Sequence, residues 1–292
     1  MTAPGGGGGG GSGGGFKDHF STMAAAYAAH RPSYPPELIE HLARVAPARR
    51  FAWDAGCGSG QLSVLLARRF ERVWATDASQ EQIARATLNP KVAYSCAPAR
   101  SSGLPNGVVD LATAAQAAHW FDLPSYYAEV RRVARPGGIV ALISYGVMSV
   151  DADVDAIIRP FYHDVLGSHW PPERRYVDEA YRSMAFPFEE ITDPGSPLEI
   201  RLEWRLEELL GYVGTWSAVW ALTRAEGQRP LEAFHQALAH AWGPAERIRA
   251  VRWPLALRVG RVSGASSSPS WRRAGTATGT VRTPPRPGAR PE

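Results

Sequence analysis

Phe51-Ala-Trp-Asp54-Ala-Gly56-Cys57-Gly58-Ser-Gly60-Gln-Leu-Ser-Val-Leu-Leu-Ala67, followed closely by Val73-Trp-Ala-Thr-Asp77, carries the strongest structural signal in the chain. A short apolar run closes on an acid, three glycines fall at alternate positions, and an apolar-periodic segment begins at once. The pattern reads as strand, tight loop and helix. Glycines let the backbone enter conformations closed to residues with a Cβ, and they let a ligand come close to the main chain. The new helix would point unpaired N–H groups toward that ligand. A nucleoside-like cofactor is the expected occupant.

Several glycine-rich turns serve nucleotides, and the spacing separates them. A dinucleotide site wants G-x-G-x-x-G, but Gln61 stands where the third glycine would fall. A phosphate-cradling loop wants a lysine after its last glycine, and none follows Gly60. Asp54-x-Gly56-x-Gly58-x-Gly60, with Asp77 closing the next apolar run, instead resembles the first motif of class I S-adenosylmethionine-dependent methyltransferases. The resemblance implies that Asp54, Gly56, Cys57, Gly58, Gly60, Asp77 and Ala78 surround S-adenosyl-L-methionine. In that family the loop lies against the methionine and ribose portion, with Asp54 near the amino-acid end. A carboxylate at Asp77 suits a ribose diol, because a charged acceptor makes hydrogen bonds roughly twice as strong as a neutral one. Ser79 can cap the following helix and leave Asp77 to the sugar.

Further stretches extend the resemblance. Tyr27-x-x-x-Arg31-Pro-x-Tyr34-Pro resembles a signature of the group that includes trans-aconitate methyltransferase-like proteins. There this segment closes over the cofactor, which implies contact roles for Tyr27, Arg31 and Tyr34; a Tyr-Pro-rich turn can equally serve packing alone. Ala97-Pro98-Ala99-Arg100 occupies the place where the group carries an acid near the adenine. Pro98 brings no polar side chain, so one hydrogen bond of about 0.5–1.5 kcal/mol is lost there, and the backbone at Ala97 and Ala99 is left to hold the base. Ala115-Gln116-Ala117-Ala118-His119-Trp120-Phe121-Asp122 resembles the group's motif at the end of its fourth strand. That implies Gln116, His119 and Trp120 beside the transferable group. The [DN]-P-P-[YF] motif of enzymes that methylate exocyclic nitrogens is absent, which argues against a nucleic-acid acceptor. Arg135-Pro136-Gly137-Gly138, expected as the turn before the fifth strand, and Thr215-Trp216-Ser217-Ala218 also match the group.

Composition agrees with one folded body and two low-complexity ends. Of the 292 residues, positions 1–15 are glycine-rich, with ten glycines between Thr2 and Gly15. Positions 263–292 are rich in Ser, Pro and Arg, and both ends are expected to be disordered. Six of the arginines lie from Arg261 onward against one glutamate, so that stretch carries +5 and the rest of the chain sums to −1, for a net charge of +4. The two cysteines, Cys57 and Cys96, form neither a disulfide framework nor a metal pattern. No apolar run approaches a membrane span and no leader is evident, so a cytoplasmic protein without bound metal is expected.

Helices alternate with apolar strands, which implies βαβ units. The expected fold is α/β: a Rossmann-like, seven-stranded, mainly parallel sheet with helices on both faces, and Ile248 to Val259 as a final antiparallel strand. Residues 151–198 break the alternation. Their aromatic clusters Phe161-Tyr162, His169-Trp170 and Phe186-Pro-Phe188 suggest an insert packed over the active site. The expected reaction is in-line methyl transfer to a small-molecule acceptor, a carboxylate or hydroxyl oxygen. His119 would serve a hydroxyl as general base or would orient a carboxylate, with Arg31 or Arg159 balancing charge. The other reading is a non-catalytic protein of this fold acting through protein contacts.

Overall fold

The computed structural model describes residues 32–191 and 197–263. The helix expected over Phe16 to His30, with Tyr27 and Arg31, lies outside them, as do positions 1–15 and the tail from 264 onward.

Eight strands order as β3-β2-β1-β4-β5-β8-β6, with β7 also on β8. β1 (Phe51–Ala55), β2 (Arg72–Asp77), β3 (Val92–Cys96), β4 (Val109–Ala115) and β5 (Ala134–Tyr145) are mutually parallel. β8 (Arg249–Arg261) runs antiparallel to β5. β6 (Glu189–Glu190) and β7 (Glu199–Trp204) pair with successive stretches of the same outer edge of β8. The eight strands therefore fill seven positions, with the outermost strand interrupted.

Strand side chains alternate between two cores, as a period of two requires. Along β5, Ile139, Ala141 and Ile143 enter one core with Leu38, Leu42 and Leu66, while Val140 and Leu142 enter the other with Trp53 and Tyr126. The first core is closed by α1 (Pro36–Val45) and α2 (Gln61–Leu66), the second by α4 (Leu123–Val133). α3 (Gln80–Ala84) follows β2, and Ser79 caps it by accepting from the Gln82 N–H at 3.3 Å. Because both faces of β4 are covered, its residues are almost continuously buried, the mark of a parallel strand.

Several boundaries differ from expectation. Apolar spacing predicts helices over Gln61 to Phe70 and Gln80 to Leu88, but α2 stops at Leu66 and α3 at Ala84, and the Leu88 side chain is 92% exposed. Arg135-Pro136-Gly137-Gly138 is not a turn before β5 but a bulge inside it. Gly137 takes φ +76°, and the register with β4 shifts between Val109 and Leu111. Leu206 to Leu222, whose apolar spacing predicts helix throughout, forms two helices, α7 (Leu206–Gly214) and α8 (Ser217–Glu226). Thr215 Oγ1 donates to the Tyr212 carbonyl at 2.6 Å, taking an acceptor the helix would otherwise use, and Trp216 turns extended. Three further helices are α5 (Ala152–Pro160), α6 (Arg174–Asp178) and α9 (Arg229–Trp242). No helix among the described residues is long and apolar enough to cross a membrane.

Candidate active site

The loop between β1 and α2 is shaped by its neighbours. A Cβ on Gly56 would meet Ala117 Cβ at 2.5 Å, and one on Gly60 would meet Tyr94 Oη at 2.2 Å. Gly58 has room for a side chain, but its φ of +56° disfavours one. The loop spends much of its N–H capacity on its own chain: Cys57 donates to Thr76 O at 3.0 Å, Gly60 to Cys57 O at 3.0 Å, and Gly58 to Asp77 Oδ2 at 2.8 Å. The N–H groups expected to face the ligand are thus partly consumed. A carboxylate stands where a phosphate would need donors.

Asp77 sits at the end of β2, and its other oxygen accepts from the Ser79 N–H at 2.8 Å. Asp54 ends β1 at 1% exposure, taking hydrogen bonds from Ser63 Oγ at 2.6 Å and Thr113 Oγ1 at 2.8 Å. Burial, with a smaller push from Asp77, raises its pKa to about 6 against the two hydroxyl donors. Burial and the same two acids also push the Cys57 thiol up, so it stays protonated and unreactive.

Above the loop and the carboxyl ends of β1, β2, β4 and β5 opens a cavity of about 580 Å³, the size of a small-molecule or cofactor site. Asp54, Gly56, Cys57, Gly58, Asp77 and Ala78 line it on one side. Ala97, Pro98, Gln116, Tyr34, His119 and Trp120 also line it, so these sequence-derived candidates converge on one space. Gly60 does not: Tyr94 covers it, and its place is at the start of α2 beneath that ring. At Ala97 the N–H is taken by the Asp77 carbonyl at 2.9 Å, and the Pro98 carbonyl by Ser101 N–H at 2.9 Å. Of the backbone donors expected to hold an adenine, Ala99 N–H is the one without a hydrogen bond among the described residues.

At the end of β4, Gln116 holds φ +52°, an uncommon conformation for a residue with a Cβ. Its Nε2 donates to the Tyr145 carbonyl at 2.7 Å, tying β4 to β5 where both reach the cavity. A short 3₁₀ turn (Ala118–Trp120) then presents His119, whose ring lies 4.8 Å from that of Trp120. Trp120 is 59% exposed at the rim. His119 Nδ1 lies 2.8 Å from Tyr181 Oη, a contact 62 positions away in sequence.

The opposite wall comes from the stretch 151–198 and from the α7–α8 junction. Trp170, Pro171 and Arg174 face the cavity together with Tyr212, Thr215 and Trp216. Arg174 is 21% exposed and held by Tyr162 Oη at 2.6 Å and Asp178 at 3.4 Å, with its guanidinium 4.9 Å from the Trp170 ring centre. Its terminal nitrogens make no hydrogen bond among the described residues. Two of the three aromatic clusters expected over the site lie elsewhere. Phe161 stacks on Phe234 at 3.9 Å, and Phe186 and Phe188 pack on Tyr127 and over Gly260. Arg159, expected near the site, pairs with Asp155 on the exposed side of α5. Tyr181, Arg174 and Trp216 escaped the sequence reading as site residues, although Trp216 lies in a stretch singled out for other reasons. Among the described residues no three His, Cys, Asp or Glu side chains gather as metal ligands.

Residues 53–142 match the methyltransferase domain family. A methyltransferase-family protein of Dictyostelium discoideum is 33% identical over 231 residues, covering 78% of this chain and 87% of its own. An uncharacterized methyltransferase of Mycobacterium tuberculosis is 40% identical over 126 residues, 42% of this chain and 51% of its own length. The solved structure of a type II methyltransferase-family protein from Anaeromyxobacter dehalogenans, 51% identical, superposes with a TM-score of 0.76 over 80% of this chain and 98% of that one. The chain belongs to the S-adenosylmethionine-dependent methyltransferases.

Proposed function

We propose that this chain transfers a methyl group to the oxygen of an acidic small molecule, a carboxylate or an acidic hydroxyl. The observation that carries the acceptor class is Arg174, a half-buried guanidinium set among aromatic rings on the wall facing the glycine loop. Flat apolar surface packs against Trp170 and Trp216, while a planar fork of donors suits an oxyanion.

The residues around the loop suit a cationic nucleoside. Asp54 and Asp77 line the same end of the cavity and would favour positive charge there. Asp77 has one N–H on each oxygen, and each oxygen keeps a lone pair for a ribose hydroxyl. When bound, S-adenosyl-L-methionine supplies an activated methyl group, and the work left to the protein is mainly position. Well-oriented approach is worth about 7–11 kcal/mol of barrier. In this reading Gln116 fixes the floor between β4 and β5, His119 meets the reacting oxygen, Tyr34 and Trp120 border it, and Arg174 holds the acid. An acceptor that arrives as an oxyanion brings its own nucleophilic electrons and leaves no proton behind.

The test is S-adenosylhomocysteine formation with aromatic and unsaturated carboxylic acids and phenols, each run beside its amide or methyl ether. Acids should turn over and their neutral counterparts should not. Arg174→Ala should raise KM for the acids about tenfold to a hundredfold, the worth of one charged hydrogen bond, with S-adenosylmethionine affinity unchanged. Equal turnover of acid and amide, or an unaltered KM in Arg174→Ala, would remove the acidic acceptor.

A further inference from the structure

We infer that Tyr162 is a positioning residue for acceptor binding: its hydroxyl ties the Nε side of Arg174 to Asp178, so that the guanidinium meets an oxyanion end-on, through its two terminal nitrogens. The inference deepens the acidic-acceptor reading and rests on it.

Three polar groups stand in a row. Arg174 Nε–H donates to Tyr162 Oη at 2.6 Å, and the phenol donates in turn to Asp178 Oδ1 at 2.6 Å. Neither direction can be reversed, because a guanidinium has only hydrogens to give and a carboxylate has only lone pairs. Burial keeps the phenol proton in place by pushing the group far above its ordinary range. Tyr162 is 1% exposed and does not line the 580 Å³ cavity, so any effect it has on an acceptor passes through the wall residues it touches.

Arg174 and Asp178 stand four positions apart on α6, close enough for the carboxylate to take the guanidinium fork for itself. The phenol occupies that approach, and the ion pair is left at 3.4 Å from Nε. A guanidinium can offer a carboxylate either of two edges, one of them through Nε. With Nε taken by Tyr162, the terminal edge is the one that serves the acceptor.

Tyr162 is itself fixed. α5 ends at Pro160, and the turn after it is wide: Leu166 N–H reaches back five residues to Phe161 O at 2.9 Å. Within that turn Phe161 stacks on Phe234, whereas Tyr162 packs edge-on to Trp216 at 5.4 Å and beside Trp170 at 5.0 Å. Trp170 Nε1 also donates to the Tyr162 carbonyl at 3.2 Å. The long stem of Arg174 is thereby set before a ligand arrives, which is how preorganised sites gain affinity.

The test has two arms, both on the full chain. In nitrogen-15 spectra of arginine-labelled protein near neutral pH, Arg174 Nε–H is assigned by its loss in Arg174→Lys. That proton should exchange with water about tenfold more slowly in the parent than in Tyr162→Phe. In the second arm, KM for the best acid of the acid-and-amide comparison should rise about tenfold in Tyr162→Phe, the worth of one hydrogen bond to a charged group. kcat and S-adenosylmethionine affinity should stay as they are, and in an Arg174→Ala background Tyr162→Phe should change KM no further. A merely structural loss would lower kcat or cofactor affinity and would persist in that background. Should Tyr162→Phe not fold, the parent spectrum decides, and an Arg174 Nε–H exchanging as fast as that of an exposed arginine overturns the inference. An unchanged exchange rate or KM in a folded Tyr162→Phe, or an equal rise of KM with Arg174 already gone, would do the same. A raised KM in Arg174→Ala beside a normal one in Tyr162→Phe sinks this inference alone, whereas an unaltered KM in Arg174→Ala sinks the acidic acceptor.

Discussion

Asp54 holds its charge against burial: it is enclosed on all sides, two hydroxyls donate to it, and its pKa still rises to about 6. In the unfolded chain it titrates near 4. Between those values the folded state binds the extra proton, so this residue's contribution to stability is fully present below about pH 4 and is lost as pH rises through 6. The difference amounts to about 2–3 kcal/mol at neutral pH. Urea unfolding of Asp54→Asn at pH 4, 5, 6 and 7 should lack this component, and its midpoint should gain on the parent's as pH rises. Parallel pH profiles for the two proteins would contradict the buried, neutralisable carboxyl. The acid was legible in the sequence because it closes an apolar run before the glycines. Its partners were not: Thr113 lies 59 positions away, and nothing local marks it as the second donor. Tyr181 was hidden for the same reason. A tyrosine in a stretch without helical or strand period gives no sign that its hydroxyl will meet a histidine 62 positions earlier.

At the scale of elements, the glycine loop separates close approach from conformation. Gly60→Ala brings a methyl into the space of the Tyr94 hydroxyl and imposes a side chain at φ +85°, whereas Gly58→Ala meets nothing nearer than Gln82 Oε1 at 3.8 Å. The second substitution should cost about 1–2 kcal/mol, the left-handed penalty alone. The first adds overpacking of about 1–3 kcal/mol. Denaturant midpoints should therefore fall further for Gly60→Ala, and equal losses would mean that Tyr94 is not held over the loop. Sequence periodicity found every parallel strand and the final antiparallel one, because each is an apolar run between turn residues. It missed where continuity breaks. Thr215 looks like any helix residue until its hydroxyl takes the Tyr212 carbonyl, and Gly137-Gly138 reads as a turn until β5 is seen to run through it. The α7–α8 break matters to the site, since it swings Thr215, Trp216 and Ser217 onto the cavity wall.

Across the whole molecule, the two ends of the cavity differ in origin. The loop, the two acids and the β4 terminus come from the first 122 residues and lie at the carboxyl ends of adjacent strands, where open α/β sheets bind ligands. That half followed from motif order. The opposite wall is assembled by tertiary packing from α6, its preceding turn and the α7–α8 junction, and residue spacing carries no record of it. In the proposed function the cofactor takes one side and the acceptor the other, so substitutions at Arg174 and at Asp77 should affect different constants. It also links folding to the ligand. Saturation at about a hundred times Kd stabilises by about 2.7 kcal/mol, which for a domain of this size raises Tm by roughly 5–10 °C.

The most direct test of the account is a calorimetric titration of the full chain with S-adenosylmethionine, repeated on Asp77→Ala and on Asp77→Asn with circular dichroism as the check on folding. In the proposed function two acceptor bonds to a sugar diol depend on Asp77, each worth about 1.5–3 kcal/mol when charged. The parent should bind one equivalent, and Asp77→Ala should bind at least a hundredfold more weakly, with Asp77→Asn between them. No binding by the parent, or equal affinity in a folded Asp77→Ala, would contradict the assignment of that carboxylate to the cofactor.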